Sequence, residues 1–236
     1  MMRPSLILLP GWGLGNAPLQ PLATALADQA QVAIEPLPAF EHADSERWLD
    51  ALDERLPRGV WLGGWSLGGM LATLLAARRG ADCPGLLTVA SNARFTASEA
   101  WPAAMPAATF EAFREAYALN PAATLKRFAM LCSQGAVDFR GLSRRLLEQA
   151  DGSDSLAGLD LLAALDTREA LQQFSGPQLH LFAADDALVP AAAAVDIRAL
   201  QPAAEVRQIG GASHAMLVEQ VSEVAVAIAH FMESQP

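Results

Sequence analysis

Gly64-Trp65-Ser66-Leu67-Gly68 sets a serine between two glycines in the pattern G-x-S-x-G. An apolar run, Val60-Trp61-Leu62, precedes it, and a helix-forming stretch from Met70 to Arg79 follows. A serine on a tight strand-to-helix turn needs small neighbours, because the backbone there is strained and close-packed. Gly64 and Gly68, extended by Gly69, supply that room. The hydroxyl then stands clear of the strand, and the backbone N–H of Leu67 faces negative charge developing on a carbonyl under attack. The chemistry implied is acyl transfer through a serine nucleophile.

A serine nucleophile needs a base to take its proton and a carboxylate to hold that base in the right tautomer. On the α/β-hydrolase fold the three follow in the order serine, acid, histidine, each at the end of a strand. His214 lies in Gly210-Gly211-Ala212-Ser213-His214-Ala215, a loop after the last predicted strand, and is the expected base. His180 alternates within a strand and reads as a hydrogen-bonded core residue; His230 falls on the final helix and His42 in a polar loop. Asp185 and Asp186 follow the predicted strand Gln178–Ala183. Two adjacent carboxylates cannot both face one imidazole. Asp186 is the expected acid, and Asp185 a solvated turn or capping residue.

A second oxyanion donor is expected from the loop after the first strand, Pro10-Gly11-Trp12-Gly13-Leu14-Gly15, through the N–H of Trp12. A dinucleotide fingerprint fails there, because the third glycine position of G-x-G-x-x-G falls on Asn16. Trp12 and Trp65 both flank the serine and imply an apolar slot for an acyl chain. No H-E-x-x-H or C-x-x-C spacing occurs, so neither a metal nor a cofactor is expected.

The elements that must position these residues alternate in type. Leu6–Leu9, Val32–Leu37, Val60–Trp65 and Leu86–Ala90 read as strands, with helices over Glu46–Leu56 and Leu67–Arg79. Continuous apolar strands alternating with helices imply an α/β fold, a mostly parallel sheet covered by helices on both faces. From 92 to 166 the strand signal stops, and helical segments over Phe110–Leu119, Ala122–Leu131 and Phe139–Gln149 imply an inserted cap. The strand pattern returns at Gln178–Ala183 and Glu205–Ile209, before a helix near Val221–Met232. The expected organisation is a first core part over 1–91, a helical cap over 92–166 and a second core part over 167–236.

With 236 residues, 52% of them apolar and 18% charged, the chain can bury a large core as one domain with an insertion. A net charge of −10 argues against a nucleic-acid partner. Cys83 and Cys132 are too few for a disulfide framework and fit a reducing compartment. The start lacks the apolar core of a signal peptide and no run reaches membrane-spanning length. A cytoplasmic monomer, not membrane-bound, is the expectation.

Gly11-Trp12-Gly13-Leu14, Trp61-Leu62-Gly63-Gly64-Trp65-Ser66-Leu67-Gly68-Gly69, Thr88-Val89-Ala90-Ser91 and Leu188-Val189-Pro190 resemble a single family. It is the biotin-pathway serine carboxylesterases, α/β-hydrolases that cleave the methyl ester of pimeloyl-acyl carrier protein. The resemblance runs over nearly the whole chain, and its more specific parts are the G-W-S-L-G-G core and Trp101-Pro102. It implies Ser66, Asp186 and His214 as the triad, Trp12 and Leu67 as oxyanion donors, and the segment from Phe128 to Cys132 as channel lining. Two departures stand out. Pro10 replaces the family's usual histidine, and the chain starts almost at the first parallel strand, so the edging antiparallel hairpin is expected to be missing or reduced.

Between Lys126 and Arg145 five basic residues (Lys126, Arg127, Arg140, Arg144, Arg145) face one acid, Asp138, a local +4 in an acidic chain. Arg140 and Arg144 are four apart and share a helix face. Such a run is ordinarily a solvated surface; here it also fits a patch that steers an acidic carrier protein. The resemblance favours docking through Arg127, Arg140 and Arg144, with Ala123 in place of a fourth basic position. The expected activity is hydrolysis of the pimeloyl-carrier methyl ester to the free acid and methanol, without cofactor. The alternatives are a broad short-chain carboxylesterase or C–C bond hydrolase on the same fold, and a non-catalytic binding member.

Overall fold

A computed structural model describes residues 3–152 and 155–235. Six strands form one sheet: β1 (Ser5–Leu9), β2 (Gln31–Ile34), β3 (Trp61–Trp65), β4 (Leu86–Val89), β5 (Gln178–Ala183) and β6 (Glu205–Ile209). Their order is β2-β1-β3-β4-β5-β6, and every neighbouring pair is parallel. All residues of β3, β4 and β5 are buried. Side chains pointing to either face are therefore covered, which is why these strands read as unbroken apolar runs. β2 stops at Ile34, three residues short of the expected Leu37. Pro36 and Pro38 lack the N–H that a longer ladder needs, and Glu35 makes the last rung to the Leu8 carbonyl at 3.0 Å.

The helices are α1 (Gln20–Ala25), α2 (Ser45–Arg55), α3 (Leu67–Arg79), α4 (Ala107–Leu119), α5 (Pro121–Ser133), α6 (Phe139–Glu148), α7 (Leu156–Ala164), α8 (Arg168–Gln173), α9 (Ala193–Leu200), α10 (Met216–Glu219) and α11 (Val221–Glu233). α3 packs on β3 and β4, and α1 packs on α11. Helices α4 to α8 all fall between β4 and β5. Three of them begin at a side-chain cap that takes up an otherwise unpaired N–H. Asn120 accepts from Ala123 at 3.1 Å, Asp138 from Gly141 at 3.0 Å and Ser155 from Gly158 at 3.0 Å. The chain leaves and rejoins the core at one place. There the Ala93 carbonyl accepts from the N–H of Thr167 at 2.8 Å and its hydroxyl at 3.1 Å. Asp166 pairs there with both Arg94 and Arg168, and the Arg168 hydrogen bond leads in holding its carboxyl at about 2.

Two buried polar clusters tie the sheet to its helices. Arg79, at the end of α3, has a fully buried side chain. It donates to Asp53 Oδ1 at 2.7 Å and to the carbonyls of Leu56 and Pro57, both at 2.8 Å. Burial pushes the Asp53 carboxyl up, but Arg79 and Arg58 more than reverse this and leave it below the usual carboxylate range. In the sheet, Gln178 gives its amide hydrogens to the Leu171 and Phe174 carbonyls. Its Oε1 therefore accepts from His180 Nε2 (3.2 Å), and His180 Nδ1 accepts from the Thr88 hydroxyl (2.7 Å). Burial lowers the His180 pKa to about 4.

Arg79→Met should cost about 3 kcal/mol in denaturant unfolding, because it strands the Asp53 carboxylate and the buried Leu56 carbonyl. Arg58→Ala, which removes an exposed partner of the same Asp53, should cost less than about 1 kcal/mol. His180 stays neutral in the folded state down to about pH 4, whereas the unfolded chain takes up its proton near the ordinary 6.5. Its contribution to stability is thus complete above 6.5 and is lost as pH falls toward 4. Replacing His180 with Gln should flatten the stability–pH curve in that window by up to about 1.4 kcal/mol per pH unit. An unchanged slope would show that His180 is protonated in the folded state.

Candidate active site

Ser66 ends β3 with φ 54° and ψ −119°, a backbone region that side-chain-bearing residues rarely enter. Its N–H donates to the Val89 carbonyl at 3.0 Å, and its carbonyl accepts from the Gly69 N–H at 2.9 Å and the Ser91 hydroxyl at 2.8 Å. The flanking glycines allow this turn by close approach. A Cβ on Gly64 would stand 2.2 Å from the Gly68 carbonyl carbon, and one on Gly68 would stand 2.2 Å from the Leu9 carbonyl oxygen. Leu67 opens α3, so its N–H belongs to the unpaired first turn at the positive end of the helix. Among the described residues, the N–H groups of Leu67 and Trp12 donate to no acceptor. Such idle donors fit an incoming oxyanion.

Asp186 and His214 meet across 28 residues of sequence with fully buried side chains. Asp186 Oδ1 accepts from the N–H groups of Leu188 (2.8 Å) and Val189 (2.9 Å), and Oδ2 accepts from His214 Nδ1 (2.8 Å). An ionised carboxylate only accepts, so the His214 proton is assigned to Nδ1 and Nε2 carries a lone pair. Nε2 is buried and has no hydrogen-bond partner among the described residues, Ser66 included. Asp185 is exposed, and its backbone N–H donates to the Ala212 carbonyl at 2.9 Å.

The supports of His214 lay beyond sequence reasoning. Trp65 is fully buried; its ring lies 5.4 Å from the imidazole, and its Nε1 donates to the His214 carbonyl at 2.9 Å. Trp65 thus packs against the histidine and does not form the apolar slot expected of it. Ser213 gives its N–H to Glu219 at 2.6 Å and its hydroxyl to the same oxygen. The Cys132 carbonyl accepts from Ala215 N–H at 3.0 Å. Burial, and after it the Asp186 charge, pushes the Cys132 thiol well up, so it is unionised. Of these contacts only the glycine-rich loop left a trace in the sequence.

Trp12 is buried, and its Nε1 donates to the Ser155 carbonyl at 2.8 Å. Phe128, Tyr117 and Phe113 pack edge-on against its ring at 4.9, 5.2 and 6.0 Å. Phe113 and Phe128 continue into an apolar cavity of about 590 Å³, open mouth included, with Phe110, Leu159 and Leu188 among its walls. Arg127 lies on its lining and is exposed. Arg140 and Arg144 are exposed on α6, which packs on α5. Arg144 stands 4.0 Å from Glu148; among the described residues Lys126, Arg127, Arg140 and Arg145 form no ion pair. No group of three or more His, Cys, Asp or Glu among the described residues could hold a metal, and no helix is long and apolar enough to cross a membrane.

Comparison with known proteins agrees with this architecture. Residues 6–227 match the alpha/beta hydrolase family. The chain is 38% identical over 243 residues to a biotin biosynthesis bifunctional protein BioHC from Cellvibrio japonicus, covering 99% of itself and 48% of that protein. It therefore spans about half the length of that relative. It is also 35% identical to a pimeloyl-acyl-carrier-protein methyl ester esterase of Vibrio cholerae, covering 89% of itself and 87% of the relative. Among solved structures, a hydrolase from Oleispira antarctica superposes with a TM-score of 0.85 over 100% of this chain and 93% of the other, at 14% identity, a likeness of fold. The chain belongs to the alpha/beta hydrolase family and, within it, to the pimeloyl-acyl-carrier-protein methyl ester esterases.

Proposed function

We propose that this protein is a serine carboxylesterase that hydrolyses the methyl ester of pimeloyl-acyl carrier protein. The observation that supports the serine mechanism is the buried Asp186–His214 pair, whose histidine carbonyl is held by Trp65, the residue before the strained Ser66. Ser66 Oγ attacks the ester carbonyl while His214 Nε2 takes its proton, and the buried Asp186 carboxylate stabilises the imidazolium. The resting structure has no Ser66–His214 hydrogen bond, a contact that commonly tightens only with substrate in place. The idle N–H groups of Trp12 and Leu67 receive the oxyanion. His214 then protonates the departing methanol, and water releases the acid by the same steps in reverse.

Three features support the substrate. The names of the relatives point to it. The cavity beside Trp12 is lined mostly by apolar side chains, which suits an alkyl chain. Arg127 lies on its lining without an ion pair among the described residues, and α6, which packs on α5, carries the exposed Arg140 and Arg144, a surface that fits an acidic carrier. On this reading Phe128 lines the channel, Trp65 and Cys132 hold the His214 loop, and Arg127, Arg140 and Arg144 dock the carrier.

Ser66→Ala should keep the fold and lower turnover of a p-nitrophenyl acyl ester at least about a thousandfold; more than a tenth of wild-type turnover would sink the mechanism. Asp186→Asn should impair turnover severely and Asp185→Asn far less, since only the first fixes the histidine tautomer. The substrate is tested by mass spectrometry of pimeloyl-carrier methyl ester after incubation, where a loss of 14 Da marks demethylation (roughly one CH₂, by the hydrolysis balance). Changing Arg127, Arg140 and Arg144 together to Glu should raise KM for the carrier substrate strongly and alter kcat/KM for a small ester little. Equal losses on both would point to damage of the cap, and no loss to a merely solvated surface.

A further inference from the structure

Among the described residues, Ser66 (φ 54°) and Ala90 (φ 47°) are the only residues with a side chain whose backbone is left-handed. Alanine has no side-chain hydrogen bond that favours this region, so its strain persists only where the surroundings impose it. The two residues stand side by side. Trp65 pairs with Val89 in the parallel ladder, and Ser66 and Ala90 are the next residues along their strands. The Ser66 N–H donates to the Val89 carbonyl at 3.0 Å, and the Ala90 N–H donates to the Leu181 carbonyl at 2.8 Å. Ser91, which follows the fully buried Ala90, is itself buried, and its hydroxyl donates to the Ser66 carbonyl at 2.8 Å. It packs against the first turn of α3, where a Cβ on Gly69 would stand 2.7 Å from both Ser91 Cβ and Oγ. Gly69 thus makes room for the hydroxyl, and its own N–H donates to the same carbonyl at 2.9 Å.

That carbonyl is one end of the Ser66–Leu67 peptide. The other end is the Leu67 N–H, which donates to no acceptor among the described residues. A trans peptide is planar, with its C=O and N–H directed oppositely. Fixing the carbonyl on one side therefore fixes the direction of the N–H on the other. Hydrogen bonds accepted by the carbonyl also polarise the peptide and make its N–H a stronger donor. Resting on the esterase reading above, we propose that Ser91 is a positioning residue of the oxyanion pocket. Through the Ser66 carbonyl it aims and strengthens the Leu67 N–H toward the charge that develops on the substrate carbonyl. The left-handed turn at Ala90 is the conformation that brings this hydroxyl onto the nucleophile turn. Because the oxyanion exists only in the transition state and the tetrahedral intermediate, the effect of Ser91 falls on turnover and not on substrate binding.

Ser91→Ala removes the donor and little else. On a p-nitrophenyl acyl ester, with rates normalised to active sites titrated by a fluorophosphonate, kcat and kcat/KM should both fall about tenfold while KM stays within about twofold. The loss is smaller than the roughly 100- to 1,000-fold cost of deleting an oxyanion donor outright, because the Leu67 N–H is still present. An alkyl trifluoromethyl ketone, whose hemiketal with Ser66 places an oxyanion at the same point, should bind more weakly by the same factor as kcat/KM falls. The double variant Ala90→Gly/Ser91→Ala separates positioning from stability. Glycine relieves the left-handed strain and should raise the melting temperature above that of Ser91→Ala, yet turnover should stay at the level of Ser91→Ala. Retention of more than half of wild-type kcat in Ser91→Ala would overturn the role. So would a loss confined to KM or to the number of titratable sites, or recovery of turnover in the double variant. A wild type that neither cleaves the ester nor binds the ketone would overturn the esterase reading, and this role with it.

Discussion

The site depends on one backbone constraint: Ser66 must hold φ 54° while β1, β3 and the start of α3 converge on it. Strain of this kind costs about 1–3 kcal/mol and persists only where surrounding structure over-determines it. Here that structure is close contact. Gly64 and Gly68 touch neighbouring backbone so tightly that a methyl group at either position would overlap carbonyl atoms. The Ser66 carbonyl is meanwhile fixed by Gly69 and Ser91. Ser66 immediately precedes α3, so local strain and the positive end of the helix meet at one residue.

Electrostatic organisation in the molecule divides by burial. Arg79, which holds the half-buried Asp53, and the Asp186–His214 pair are withdrawn from water and satisfy several partners at once. Pairs of this type fix geometry, because removal of one member leaves an uncompensated buried group. The cations of α5 and α6 are the opposite case. They remain in water, add little to stability and stay free to meet another surface.

The sheet was legible where residues report their own environment. β5 and β6 match their apolar and alternating patterns from end to end, because those residues are buried or paired as their types demand. β2 is shorter than its hydropathy implies, because the prolines behind it decide hydrogen bonding rather than burial. Short helices such as α1, α8 and α10 escaped notice, since four to six residues carry too little periodicity. In the candidate site, residue types pointed to Ser66, Asp186 and His214; the contacts around them were not readable. Trp65 beneath His214, Glu219 on Ser213 and Ser155 on Trp12 are joined by folding across gaps of up to 149 residues, and no local pattern encodes them.

The hydrogen bond from Trp12 to Ser155 has a mechanical consequence. Ser155 also caps α7, and Gly158 in the next turn lets that helix approach the indole so closely that a Cβ there would lie 2.8 Å from it. The indole is therefore a lever with its fulcrum in the loop after β1. One arm is gripped by the start of α7, and the other is the peptide whose N–H donates to no acceptor among the described residues. The loop after β1 and the first turn of α7 are thus held to one another through a single side chain.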